Sequence, residues 1–298
     1  MICFLANKWQ PLVARTCGGI LAALVTVSPL RATVSPPTTY PAKHFRVFDA
    51  LSYRNKPDLL PFGLRPIKII ERFWPQGSPR EDVNVPGIIS EVTKLGDYQG
   101  LICIDIEHWP VSGVPADVAS GNLAKLAQVA DAARRAAPSS QFGYYSIMPG
   151  GAYWDIVGRD QAKLALWHET NRRTEKLAQH VDVVFPSLYT FYNDEDAWER
   201  AATTLLVEAR RYNKPVYAFL WPEFHDSNSE LRGTEIPPLF WQRQLEVCYE
   251  LADGVVIWGG WRKTKQGQWM QLEWNESATW WMDTKAFLGK NGHFSSSK

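Results

Sequence analysis

The 298-residue chain is predicted to be an α/β protein, a distorted, TIM-like (β/α) barrel of seven or eight units. Three observations predict it. Seven apolar, strand-like stretches recur, at 45–51, 67–73, 101–107, 141–147, 181–189, 215–220 and 254–258. Helix-periodic segments lie mostly between them, and that alternation favours a parallel sheet. Neither GxGxxG nor GxxxxGK[ST] occurs, so an open nucleotide-binding sheet has no support. A closed barrel takes about 250 residues as one unit, which fits 44–298 as a single catalytic domain.

The chain begins with a segment expected to lie outside that domain. Lys8 and Arg15 precede an apolar run from Gly18 to Val27, and Leu30-Arg31-Ala32 offers a small residue for cleavage. Residues 1–32 are therefore expected to be a secretory signal peptide. The run is shorter than the about 20 residues a membrane span needs, so no stable span is expected after cleavage. Residues 33–43, rich in Pro and Thr, would be an extended leader, and the mature chain would be secreted or periplasmic.

Losing residues 1–32 removes Lys8, Arg15 and Arg31 and no acid, which takes the formal charge from +1 to −2. A near-neutral chain has no bulk field to attract nucleic acid. Of the four cysteines, Cys3 and Cys17 fall in the signal segment. Cys103 and Cys248 are expected to be buried free thiols. No Cys/His spacing suggests a metal and no cofactor motif is present.

The third stretch carries the chemistry. Side chains alternate along a strand, so Ile102, Ile104 and Ile106 share one face, and Cys103, Asp105 and Glu107 share the other. With the isoleucines packed on helices, both carboxyls point into the barrel near its C-terminal mouth, where such barrels keep their active sites. Two carboxyls so close should push one pKa up and leave an acid at neutral pH. A salt-bridged pair at a strand end is the plain alternative. His108, beside them, is the one histidine of interest.

The helical segments follow. Between 122 and 137, Leu123, Leu126, Ala127, Ala130, Ala133 and Ala137 share a face, with Lys125, Gln128, Asp131 and Arg135 opposite; 161–178, 196–212 and 240–251 behave alike. The strand ends are aromatic: Phe73-Trp74-Pro75, His108-Trp109-Pro110, Tyr144-Tyr145, Pro186-Ser187-Leu188-Tyr189, Trp221-Pro222-Glu223 and Trp258-Gly259-Gly260-Trp261. Any one tryptophan could simply plug the barrel. Aromatics at six strand ends favour a groove whose flat faces meet sugar rings while phenol and indole groups bond to hydroxyls.

These residues resemble a known family. Asp105-Ile106-Glu107-His108-Trp109-Pro110 is similar to the Asp-Trp-Glu-x-Trp-Arg-Pro signature of the animal and venom hyaluronidases. Gly143-Tyr144-Tyr145 with Pro149, Phe185-Pro186-Ser187-Leu188-Tyr189, and Gly254-Val255-Val256-Ile257-Trp258 resemble that family's Gly-Tyr-Tyr, Pro-Ser-Ile-Tyr and Gly-Val-Val-Leu-Trp segments, in the same order. The resemblance implies a retaining endo-glycosidase for β-linked N-acetylhexosaminide polymers, in which the substrate's own acetamido oxygen attacks the anomeric carbon. Glu107 would be the general acid/base, and Asp105 would orient the acetamide and stabilise the cyclic intermediate. Tyr145 and Tyr189 would hydrogen-bond near the acetamido group and Trp258 would wall its methyl; Trp109, Trp221 and Trp261 join them as candidate sugar-binding residues.

The substrate-assisted route needs no protein nucleophile, whereas a conventional retaining pair stands about 5–5.5 Å apart. The sequence departs from the signature at Ile106, where the family has Trp, and after Trp109, where its Arg is missing. The family's disulfide cysteines are absent too. Fold and reaction class carry over more fully than the polymer. Two other readings stand beside this one: a conventional retaining glycosidase with Glu223 as nucleophile, and an inactive barrel that binds carbohydrate.

Overall fold

The structure, a computed structural model, describes residues 44–264 and 267–291. The expected signal peptide and leader, residues 1–43, lie outside the described residues. Six strands form one parallel sheet: β1 (Arg46–Leu51), β2 (Leu64–Ile70), β3 (Leu101–Ile104), β4 (Gln141–Tyr144), β5 (Tyr217–Leu220) and β6 (Gly254–Gly259). Their spatial order is β4-β3-β2-β1-β6-β5. An antiparallel hairpin of β7 (Trp261–Lys263) and β8 (Trp269–Gln271) follows β6.

The two sheet edges, β4 and β5, are joined by the fifth strand-like stretch. Residues 184–187 make parallel bridges to both sides, Tyr145↔Phe185 toward β4 and Val184↔Val216 and Ser187↔Phe219 toward β5. The Ser146 N–H donates to Phe185 O, and the Phe219 N–H to Pro186 O. The sheet thereby closes into a distorted (β/α) barrel. This stretch is a set of single rungs and not the continuous strand expected over 181–189, because Pro186 has no N–H to give to a ladder. Gly143 permits the close approach. A Cβ there would stand 2.5 Å from Val183 O and 2.8 Å from the Phe185 ring, so only hydrogen fits.

Helices clothe the barrel: α1 (Val85–Thr93), α2 (Ala116–Ala136), α3 (Tyr153–Val157), α4 (Gln161–Thr174), α5 (Glu195–Arg210), α6 (Pro238–Leu251) and α7 (Thr279–Lys290). Their ends follow from the sequence. Asp160 caps α4 by accepting from the Lys163 N–H, and Asp194 caps α5 by accepting from the Ala197 N–H. Arg134 and Arg135 in the last turn of α2 oppose the helix dipole. The apolar stripe of α5, including Trp198, Ala201, Leu205 and Leu206, is buried. Trp198 also donates its indole N–H to Leu188 O, fixing the loop that leads to Tyr189. Ile102, Ile104 and Ile106 lie in the core, as the alternation of the strand requires. Cys103 and Cys248 are both fully buried. No described helix is long and apolar enough to cross a membrane.

Candidate active site

Parallel register decides which side chains meet at the mouth. β2 and β3 pair Ile70 with Ile104, and the last rung is the Asp105 N–H donating to Ile70 O. On the other side the Tyr145 N–H donates to Ile104 O. The residues just past these strand ends, Glu71, Asp105 and Tyr145, therefore sit side by side at the C-terminal mouth. Regular strand structure ends at Ile104, three residues before the expected end at 107, because β2 stops there too.

Both carboxyls are pushed above the ordinary carboxylate range. Burial, and then the charge of Glu71, push Asp105 up to about 7. Burial, then Asp105, then Glu71 push Glu107 up to about 8. Glu107 still presents solvent-exposed surface at the rim, so its protein-facing side supplies the desolvation while its outer side stays open to a ligand. One Asp105 oxygen, Oδ1, is buried with no protein hydrogen-bond partner. A buried acceptor left unpaired costs free energy; such an atom is a place for a donor brought by a ligand.

Aromatic side chains wall the space around it. The Tyr145 and Tyr189 rings lie 5.9 Å apart, and Tyr189 lies 6.0 Å from Trp258 and 5.5 Å from Trp221. Trp221 meets Trp258 edge-on at 4.7 Å. The Tyr145 hydroxyl is 2.9 Å from Ser187 Oγ. Burial raises the Tyr145 hydroxyl pKa, with the charges of Glu107 and Asp105 adding to the rise. Burial likewise raises that of Tyr189, next to Tyr145. Both stay neutral donors at ordinary pH. Trp221 Nε1 is a second buried polar atom without a protein partner.

The structure thus brings together Asp105, Glu107, Tyr145, Tyr189, Trp221 and Trp258. Trp109 stands apart from them. It is 3% exposed, its indole N–H donates to Arg80 O at 2.8 Å, and its ring packs edge-on against Trp74 and His108. Having spent its donor inside the wall, it anchors the loop behind Glu107 and has no face for a sugar. Trp261 lies on the β7–β8 hairpin, and among the described residues no ring contact joins it to the Tyr189 group. His108 is pushed down by burial and by Arg80, and so is neutral near pH 7.

Glu223 is 3% exposed and gripped by Arg262, with Nη2 2.8 Å from Oε1 and Nε 3.3 Å from Oε2. Burial raises its pKa against the pull of Arg262; its other charged neighbours are Glu235 and Asp226. Its carboxylate is thus already engaged on both oxygens. Among the described residues no group of His, Cys, Asp and Glu is arranged to hold a metal ion. Glu71 escaped the sequence reading. Its signal was an acid directly after Ile69-Ile70, but placing that strand at 67–73 hid it as a mid-strand residue.

A comparison of the chain with models of protein families finds no match, and neither does a comparison with curated proteins. Among solved structures the chain is similar to bee venom hyaluronidase. In its complex with a hyaluronic acid tetramer the identity is 16%, over 72% of this chain and 90% of that one, with a TM-score of 0.52. In a monoclinic crystal of the same enzyme the identity is 15%, over 84% of this chain and 99% of that one, with a TM-score of 0.56. At such identities the likeness speaks for the fold: this chain is built on the same distorted α/β barrel as bee venom hyaluronidase.

Proposed function

We propose that this protein is a retaining glycosidase that hydrolyses β-linked N-acetylhexosaminide polymers by substrate-assisted catalysis. The observation that carries the reading is Asp105 Oδ1, a buried acceptor with no protein partner among neutral tyrosines and tryptophans. An acetamide supplies what that space lacks: an N–H for Asp105, a carbonyl oxygen for a tyrosine hydroxyl, and a methyl for the Trp258 face. Protonated Glu107 gives its proton to the glycosidic oxygen, which leaves as an alcohol while the acetamido oxygen bonds to the anomeric carbon. The cyclic intermediate carries positive charge at its N–H, and the Asp105 carboxylate stabilises it. Glu107, now a carboxylate, takes a proton from water as that water opens the ring with net retention.

The likeness of fold to bee venom hyaluronidase supports this reading, as do the ordered motifs at Asp105–Glu107, Gly143–Tyr145, Phe185–Tyr189 and Gly254–Trp258. The occupied ion pair of Glu223 speaks against that residue as a nucleophile. The test is hydrolysis of a chromogenic aryl N-acetyl-β-hexosaminide and of hyaluronan, chondroitin, chitin oligomers and peptidoglycan, with products read by mass. Glu107→Gln should lower turnover at least about a hundredfold, the scale of a lost general acid. A thiazoline analogue of N-acetylglucosamine should inhibit, and Asp105→Asn should be nearly as damaging as Glu107→Gln while Glu223→Gln costs much less. A stable adduct on Glu223 after incubation with a 2-fluoro glycoside would end the substrate-assisted reading.

A further inference from the structure

The aromatic wall does not stop at the pocket. From Tyr189 the rings continue to His225 at 6.1 Å, from His225 to Phe191 at 4.8 Å, and from Phe191 to Trp154 at 5.5 Å. Trp154 then meets Tyr192 edge-on at 5.2 Å. Tyr189 and His225 are buried and Phe191 is half-buried, while Trp154 is 54% exposed and Tyr192 47% exposed. Two large aromatics left open to water at the end of an unbroken run of ring contacts from the candidate site are the feature that asks for an explanation. Core packing does not supply one, since their outer faces touch nothing in the core.

The platform is also held rigidly. The Asn228 side chain donates to Phe191 O at 2.7 Å, and the His225 N–H donates to Thr190 O at 2.8 Å. Gln244 donates to the Thr190 hydroxyl from α6. Trp154 rides on α3, where the Tyr153 ring packs against it at 4.9 Å and against Phe191 at 5.0 Å. A fixed pair of ring faces loses little entropy on binding.

The line of rings carries no charge near pH 7, since His225 is pushed down to about 4 by burial and Lys263. At the pocket end stand three acids, Glu71, Asp105 and Glu107. Beside the platform, Asp155 is paired with Lys163, Asp194 caps α5, and Arg200 stands near enough to Tyr153 to act on its hydroxyl. What the rings themselves offer a ligand is stacking faces and not charge.

We propose that Trp154 and Tyr192 form a distal sugar-stacking subsite that engages an N-acetylhexosamine oligomer away from the bond that is cut. The inference rests on the proposed glycosidase reading for its direction, since the track is read outward from Asp105 and Glu107. It implies that the protein prefers long chains over short glycosides.

Binding is measured by isothermal titration calorimetry on Glu107→Gln protein, which keeps oligomers intact, with and without Trp154→Ala or Tyr192→Ala. The probes are the di- and hexasaccharides of N-acetylglucosamine. Both added substitutions are at exposed positions and should leave folding intact. Trp154→Ala should raise the Kd for the hexasaccharide about tenfold, as expected for one lost stacking contact, and leave the disaccharide unchanged. An unchanged hexasaccharide Kd, or an equal loss for the disaccharide, would overturn the subsite. So would failure of every oligomer to bind. Cleavage of the short aryl glycoside is read separately and needs no distal contact. Its loss with Trp154-dependent binding retained would sink the reaction alone, and the reverse pattern would sink the subsite alone.

Discussion

Gly143→Ala places a methyl where the barrel closes. The added Cβ would stand 2.5 Å from Val183 O, 2.8 Å from the Phe185 ring and 2.9 Å from Val183 Cγ2. The nearest of these is backbone, so the conflict is not relieved by turning a side chain. The 184–187 segment must move outward. Overpacking of this kind costs about 1–3 kcal/mol, and for a domain of this size each kcal/mol lowers Tm by about 2–4 °C. The expected drop is therefore about 2–12 °C by calorimetry. The same movement pulls Ser187 from Tyr145 and carries Tyr189 with it, so kcat/KM on an N-acetylhexosaminide should fall as well. Gly151→Ala is the control. Its Cβ meets nothing within 4 Å, and the change should stay within about 0.5 kcal/mol. A Gly143→Ala protein with the stability and activity of the parent would refute the close packing on which the pocket wall is built.

Four further outcomes follow from the same geometry. The reaction needs Asp105 ionised and Glu107 protonated, so kcat/KM should rise with pH through about 7 and fall through about 8, a narrow bell whose limbs belong to the coupled pair; a profile flat from pH 5 to 9 would contradict it. Glu71→Gln removes a negative neighbour of both groups and should move both limbs to lower pH, which a pH–rate series reads directly. Both carboxyls hold protons more tightly in the folded chain than their ordinary values of 3.8 and 4.5, so the stabilisation they give is full below about pH 4 and is lost as pH rises through about 7 and 8; Tm should fall across that window and fall less in Glu107→Gln. Arg262→Met should destabilise by on the order of 2 kcal/mol, less than the 3–5 of a fully buried pair because the guanidinium is 38% exposed, and Met at 262 with Gln at 223 should recover part of it in thermal melts.

Much of the barrel was legible because its strands alternate with amphipathic helices and end in aromatics. The stretches 101–107 and 141–147 point at β3 and β4, and 254–258 at β6. Two strands resisted for the same reason. β2 begins at Leu64 and runs through Pro66, whose ring made the strand seem to start at Ile67. The closing segment contains Pro186, which thins its ladder to single rungs. Local propensity records what proline lacks and not what its neighbours supply. Helices α1 and α7 were not read either: the first opens on a Pro-Gly pair, and the second is rich in aromatics.

At the site, Asp105 and Glu107 could be placed on one strand face from their spacing alone. The roles of Tyr145, Tyr189 and Trp258 came from a resemblance, and the structure brings their rings together. Glu71 and Ser187 belong to the site through register between strands far apart in sequence, which no local pattern records. Trp109 misled because a strand-end tryptophan looks the same whether its indole is free or tied to a carbonyl such as that of Arg80.

The barrel's longest register joins its first strand to its sixth, from Arg46↔Gly254 to Leu51↔Gly259. During synthesis β1 emerges early and can pair with β2 on one side. Its other edge waits for roughly 200 more residues, and at about 5–20 residues per second that is tens of seconds with a row of unsatisfied backbone groups. The waiting edge is apolar, with Val47, Phe48 and Leu51 among its residues. The ribosome therefore hands over a nascent chain whose first strand stays adhesive until almost the last one is made. Whatever shields β1 during that interval guards the chain against pairing with the wrong edge.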